Sequence, residues 1–332
     1  MTLCAILAAP ARLRFGPNLD VAAATSAGAD PGVPLENQDN FLLIDVNGSA
    51  AFMEGQAPRE VEVAGWTAGH VRLAVLDGMG GHGQGRQAAE AVVAGLLALP
   101  PCTALPELAA RLDALHDSLQ AQFADADAGR GHHAKRPGTT LTLLELPPGQ
   151  PPLLYHVGDS RLYEITADGV VPLTVDHVPA TAFAMAGVLG EHEWWQQVHG
   201  EHRSQIAQAF ILGNAFANPA MLSDPLFELS ASRLPPFLSH LPDRRALILR
   251  ADTTYLLATD GFWACLDPQR WVGRWPALLS RAHNAGGAID ALFEEIGSKP
   301  PPSLHIDNLT AIVLRLTPAA AADADPGDET YA

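Results

Sequence analysis

Residues 71–85 read Val71-Arg72-Leu73-Ala74-Val75-Leu76-Asp77-Gly78-Met79-Gly80-Gly81-His82-Gly83-Gln84-Gly85. A largely apolar run ends in an aspartate, and five of the nine residues from Asp77 to Gly85 are glycine. Glycine permits backbone conformations closed to other residues and close approach to the main chain. Gly78, Gly80 and Gly83 meet the G-x-G-x-x-G spacing of a dinucleotide-binding turn. That fold needs a second strand soon after the following helix, with an acid about 20 residues on. Here Pro100-Pro101 closes the first helical stretch and a second helix follows it. Strand–helix–strand alternation therefore fails where it is first required, and a doubly wound parallel sheet is set aside.

Outward from this point, short apolar runs recur at 41–46, 140–146, 153–157, 161–165, 246–249, 254–259 and 309–316, most of them bounded by turn residues. The stretch 85–99 is Ala-rich and apolar on most faces, which predicts a buried helix. The stretch 105–124 places Leu108, Leu112, Leu115 and Leu119 at helical spacing. Two further helices are predicted at 269–283 and 288–296. The resulting order is strands, a helix pair, strands, an irregular middle, strands, helices and a last strand. That order predicts an α+β fold of antiparallel sheets covered by helices. Residues 179–242, with scattered His, Trp and Pro, are expected to form a flap-like insertion in a single domain spanning 1–317. Residues 318–332, rich in Ala and Asp with Gly and Pro, are expected to be a disordered tail.

The bulk composition narrows the function. Of 332 residues, 48% are hydrophobic and 17% charged, enough for a large core and too little charge for a disordered chain. The net charge of −17 argues against nucleic-acid or anionic-membrane partners and favours divalent cations. Three distant cysteines, Cys4, Cys102 and Cys265, give neither metal-ligand spacing nor a disulfide framework, which fits a cytoplasmic protein. The apolar run at 3–9 lacks a basic flank and is too short to span a bilayer, so neither a signal peptide nor a membrane helix is expected.

Four aspartates sit at the ends of apolar runs beside Gly, Ser or Asn: Asp77, Asp159, Asp260 and Asp307. Asp39, in Asn37-Gln38-Asp39-Asn40, precedes another run. Singly, each is an ordinary turn residue. As a set they can converge on one rim of a sandwich, where carboxylates repel unless a cation lies among them. Hard oxygen ligands favour Mg²⁺ or Mn²⁺ over zinc.

With Asn37-Gln38-Asp39, Asp77-Gly78-Met79-Gly80-Gly81-His82, Gly138-Thr139-Thr140, Gly158-Asp159-Ser160-Arg161, Leu173-Thr174-x-Asp176-His177, Thr259-Asp260-Gly261 and Asp307-Asn308 in order, the chain resembles the metal-dependent, type 2C-like serine/threonine protein phosphatases in their bacterial form. The resemblance implies a four-layer αββα sandwich with a metal centre at one end. It implies that Asp77 bridges two Mn²⁺ or Mg²⁺ ions, that Asp260 and Asp307 complete the first, and that the Gly78 carbonyl holds the second. Asp39 would act through water, and Asp159 would serve a weaker third ion. Catalysis would rest on Asp77, Asp260 and Asp307: two cations ~3.5–4 Å apart acidify a bridging water and template in-line attack on phosphorus. The implied substrate is phosphoserine or phosphothreonine in a protein targeted by a Ser/Thr kinase, and the implied state is a monomer.

The chain departs from the family pattern at several positions. Pro34 stands where many members carry an arginine that grips phosphate, a role a bidentate guanidinium fills well. Gln38 replaces a glutamate of some members, and Met79 replaces a histidine of animal members, where His82 is an alternative proton source. Ala264 stands where a further aspartate often serves the third ion. Pro34 and Ala264 motivate an alternative reading, a weakly catalytic phosphatase-like module that binds phosphoprotein or senses metal. His132-His133 reads as a solvated loop, His199 and His202 as surface or capping residues, and Trp194-Trp195 as packing the flap onto the body.

Overall fold

Burial along the strands alternates between two different cores, and this sets the layers. In Leu309–Leu316, Leu309, Ala311 and Val313 pack with the helix Ala285–Ser298, whereas Ile312 and Leu314 point the other way into an apolar layer shared with a second sheet. In Asn40–Ile44, Phe41 and Leu43 enter that shared layer, and Leu42 and Ile44 pack with the helices Gln84–Ala98 and Leu105–Asp127. A strand buried on both faces lies between two packed layers, and these clusters show a sheet on one side and helices on the other. The result, in this computed structural model, is an αββα sandwich in which residues 3, 5–10, 12–28, 36–80, 84–127, 137–203, 205–216, 225–305 and 307–316 are described, the side chains of 124–127 excepted.

One sheet has six strands in the order Leu7–Ala8, Leu19–Ser26, Leu309–Leu316, Thr254–Ala258, Arg161–Thr166 and Gly169–Pro172. The other has seven, in the order Arg244–Ala246, Leu153–Val157, Leu141–Leu146, Val71–Leu76, Asn40–Ile44, Ser49–Glu54 and Ala57–Glu62. Every pairing is antiparallel. Buried hydrophobic clusters fill all three interfaces between layers.

One charge pair is built into the helix side of the seven-stranded sheet. Arg72 and Glu145 face each other in register and are fully buried. Arg72 Nε and Nη2 donate to Glu145 at 2.7 and 2.8 Å, and Nη1 donates to the Leu96 and Leu99 carbonyls at 2.6 and 2.8 Å. Glu145 also meets His70 Nε2 at 2.8 Å and accepts from the Cys102 amide at 3.0 Å. The arginine thus satisfies carbonyls at the end of the helix that begins after the glycine loop.

Several elements differ from the sequence reading. The helix expected at 269–283 is two short helices, Pro268–Val272 and Trp275–Leu279, because Gly273 and Pro276 interrupt it. The strands Leu19–Ser26, Ser49–Glu54 and Ala57–Glu62 are additional; the first is Ala-rich and the last is exposed throughout, so neither carries an apolar alternation. The middle stretch is more regular than expected. It forms helices Pro179–Met185 and Glu191–His199 and a small ladder of Gln208–Ala209 with Gly213–Asn214. Trp194 lies in that stretch's own apolar cluster with Ala180, Ala184, Leu229, Leu234 and Leu238, and its Nε1 donates to Thr181 Oγ1 at 3.1 Å. Trp194 thus packs this stretch against itself rather than onto the sandwich, contrary to expectation. The readings of Pro34, His82, His132-His133 and residues 318–332 lie outside the described residues.

Candidate metal centre

Strand order carries the five aspartates to one end of the sandwich. Asp39 precedes Asn40–Ile44 and Asp77 follows Val71–Leu76, and these strands pair with Asn40 opposite Leu76. Asp260 follows Thr254–Ala258 and Asp307 precedes Leu309–Leu316, which pair with Ala258 opposite Ala311. Asp159 lies where the chain crosses from Leu153–Val157 in one sheet to Arg161–Thr166 in the other. Asp39 and Asp260 are buried, Asp77 and Asp159 half-buried, and Asp307 exposed, so the group forms a cup with an open side.

The surrounding motif residues act as its frame. Gly78–Met79 pairs with Gly138–Thr139, the Asp77 amide donates to Thr140 Oγ1 at 2.9 Å, and Thr140 Oγ1 meets Ser160 Oγ at 2.8 Å. This ties the loop after Asp77 to the loop of Asp159. The Gln38 amide donates to Asn308 Oδ1 at 2.7 Å, joining the loops of Asp39 and Asp307. Thr259 Oγ1 donates to Asp39 Oδ2 at 2.8 Å, a bond between the two sheets. Thr25 Oγ1 accepts from Asn37 Nδ2 at 2.7 Å and meets Thr310 Oγ1 at 2.7 Å. Two glycines are sterically required. A Cβ on Gly78 would lie 2.2 Å from the Gln38 carbonyl oxygen, and one on Gly261 would lie 2.0 Å from that of Asn308. Arg161 holds buried Asp176 at 2.7 Å and donates to the Val198 carbonyl at 2.7 Å, anchoring the helix Glu191–His199 beside Asp159.

Electrostatics follow from this crowding. Burial, then the charges of Asp260, Asp39, Asp307 and Asp159, push the Asp77 carboxyl well above the usual carboxylate range. Burial and Asp307 do the same to Asp39, and burial with Asp260 to Asp159. Burial and Asp260 raise Asp307 to about 6. Asp260 alone of the five moves down: burial pushes it up, but the His202 hydrogen bond and charge, with Asp77 and Arg161, outweigh that. The carboxylates are close enough to feel one another strongly. Among the described residues, no group of three or more His, Cys, Asp or Glu side chains is arranged to hold a metal ion. The donor set itself consists of hard oxygens in a partly buried, mutually repelling cluster, which fits a hard divalent cation by chemistry.

Contrary to the sequence expectation, neither His199 nor His202 lies on the surface. His199 is buried, and burial followed by the Arg161 charge pushes its imidazole well below the usual range. His202 is not a surface residue: its side chain is 10% exposed, and Nε2 lies 3.2 Å from Asp260 Oδ2. No local signal marked it, because its partner is 58 positions away and is met only through the tertiary fold. A cavity of about 380 Å³ opens beside the cup, lined in part by Asp159, His202, Arg203, Phe183 and Trp263.

In structure, the chain is similar to the S. agalactiae serine/threonine phosphatase, with a TM-score of 0.58, 18% identity, and coverage of 90% of this chain and 100% of that one. It is similar to the Mycobacterium tuberculosis serine/threonine phosphatase PstP/Ppp, with a TM-score of 0.56, 23% identity, and coverage of 90% and 99%. It is also similar to the catalytic domain of PstP in complex with two manganese ions, with a TM-score of 0.54, 20% identity, and coverage of 91% and 99%. No family model and no curated protein matches the sequence. The fold is that of the bacterial PPM-type serine/threonine phosphatases.

Proposed function

We propose that the chain is a metal-dependent protein phosphatase that hydrolyses phosphoserine and phosphothreonine in proteins. The observation that carries the proposal is the convergence of Asp39, Asp77, Asp159, Asp260 and Asp307, from both sheets, on one mutually repelling cup. Asp77, Asp260 and Asp307 would hold Mn²⁺ or Mg²⁺ directly, with the Gly78 carbonyl at a second ion. Asp39 would act through water, and Asp159 at a weaker third ion. Bound cations would supply charge neutralisation on the phosphoryl group and activation of water. The chain's part is to hold these oxygens in place: Thr259 fixes Asp39, and the Thr140–Ser160 contact fixes the loops of Asp77 and Asp159. The cavity beside Asp159 would receive the phosphorylated segment.

The same reading makes residues 1–317 one phosphatase domain with 179–242 as its flap, acting as a cytoplasmic monomer opposite a Ser/Thr kinase. Among the described residues, no helix is long and apolar enough to cross a membrane. The deciding experiment is hydrolysis of an aryl phosphate and of a phosphothreonine peptide by purified protein with Mn²⁺. Activity is expected to vanish with chelator, and Asp77→Asn is expected to lose turnover and cation binding together. Chelator-resistant turnover by the wild type would overturn the proposal.

A further inference from the structure

His202 is carried by the flap, yet it ends inside the cup. Its backbone amide donates to the Cys265 carbonyl at 3.1 Å, which pins the segment to the turn after Asp260. That turn contains Ala264, which is fully buried and offers no side-chain donor. His305 is held to the same turn, its amide donating to the Ala264 carbonyl at 2.7 Å, and its ring centroid lies 6.1 Å from that of His202. The His202 imidazole therefore lies against the turn of Asp260, with Nε2 3.2 Å from Asp260 Oδ2 and with Asp159 lining the same cavity. That spacing suits two donors on one ion: atoms ~2.1 Å from a cation and at right angles lie ~3 Å apart.

We propose that His202 is a residue of the cation centre, a flap-borne nitrogen donor beside Asp260 that couples cation choice to flap docking. The inference rests on the metal-dependent reading above. An imidazole among carboxylates moves preference from Mg²⁺, which takes oxygen, towards Mn²⁺ and later first-row ions. It also places the flap segment behind the helix Glu191–His199 in the ion's coordination, so binding should hold that segment down.

The test uses the full chain after chelator treatment and dialysis. Mn²⁺ and Mg²⁺ affinities are measured by calorimetry for wild type, His202→Ala and Asp77→Asn, with amide hydrogen exchange followed over 191–203. His202→Ala is expected to weaken Mn²⁺ at least tenfold and Mg²⁺ less than threefold, and to abolish the slowing of exchange that Mn²⁺ causes in wild type. Pulsed electron spin resonance of the Mn²⁺-loaded wild type is expected to show a ¹⁴N coupling that His202→Ala lacks. An unchanged Mn²⁺/Mg²⁺ ratio in His202→Ala, or no ¹⁴N coupling in wild type, would overturn the proposal while leaving the phosphatase reading intact. Undiminished Mn²⁺ binding by Asp77→Asn would instead remove the centre on which both rest. His202→Gln, which keeps a polar side chain, distinguishes ligand loss from misfolding: it should retain the wild-type melting temperature and still lose the ¹⁴N coupling.

Discussion

Replacing Glu145 by glutamine preserves the shape of a fully buried side chain and deletes its charge. The Arg72 guanidinium then keeps its bonds to the Leu96, Leu99 and Pro100 carbonyls and at most one bond to the glutamine oxygen, while a glutamine NH₂ faces a donor where the second carboxylate oxygen stood. Stranding one member of a buried ion pair costs ~3–5 kcal/mol. With an unfolding entropy of ~2.1 cal/mol/K per residue, a chain of 332 residues shifts its melting temperature by ~1.4 °C per kcal/mol. Glu145→Gln should therefore lower the melting temperature by ~4–7 °C at pH 7. Because the pair lies on the helix side of the sheet and the cup at its end, Mn²⁺ affinity should stay within twofold. The penalty has a pH signature. Burial pushes Glu145 up, but the hydrogen bonds from His70 and Arg72 outweigh it and leave its carboxyl below the usual range. Its contribution is thus present above the unfolded value of ~4.3 and is lost as pH falls through the lower folded value, so variant and wild type should converge in acid. Arg72→Met combined with Glu145→Leu should recover only part of the loss, since the Leu96 and Leu99 carbonyls lose their donor. Differential scanning calorimetry measures all three proteins. A shift under about 1 °C for Glu145→Gln at pH 7 would refute the reasoning, because it would mean that the guanidinium is not confined.

Gly261→Ala should be tolerated poorly, because its Cβ would meet the Asn308 carbonyl at 2.0 Å and the turn of Asp260 must shift away from that of Asp307. We expect a loss of ~1–3 kcal/mol in chemical denaturation and a drop in Mn²⁺ affinity of at least tenfold by calorimetry. Asp307→Asn should stabilise the chelator-treated protein at pH 7.5 and do so less at pH 5. Asp307, raised to about 6, is charged and repelled at the higher pH but largely protonated in the folded state at the lower one, as thermal melts at the two values will read.

The parts of the fold legible in sequence were those whose periodicity is local. The apolar runs at 41–46, 71–76, 140–146, 153–157 and 309–316 contain strands buried on both faces, and the double proline after Leu99 ended a helix as expected. Leu19–Ser26 carries three consecutive alanines and is a strand only because it lies between two neighbours in the sheet; nothing within eight residues encodes that. The candidate site was legible as a set of aspartates because each lies next to a strand, so its position follows once strand order is known. Arg161, Thr259 and Asn308 were visible within motifs but not their roles, which depend on partners 15 to 270 positions away. His202 was read as a surface or capping residue because an isolated histidine has no periodic context, and its contact is with a residue 58 positions away.

The Thr259–Asp39 contact and the neighbouring Thr25–Thr310 and Asn37 bonds share one property: every donor is uncharged. Hydroxyls and amides can hold a carboxylate at a fixed position and distance while cancelling little of its negative field. A lysine or arginine in the same place would have immobilised Asp39 equally well and discharged it. At Asp39, then, rigidity and neutralisation come from different sources, and the second is left for a counter-charge that can arrive and depart.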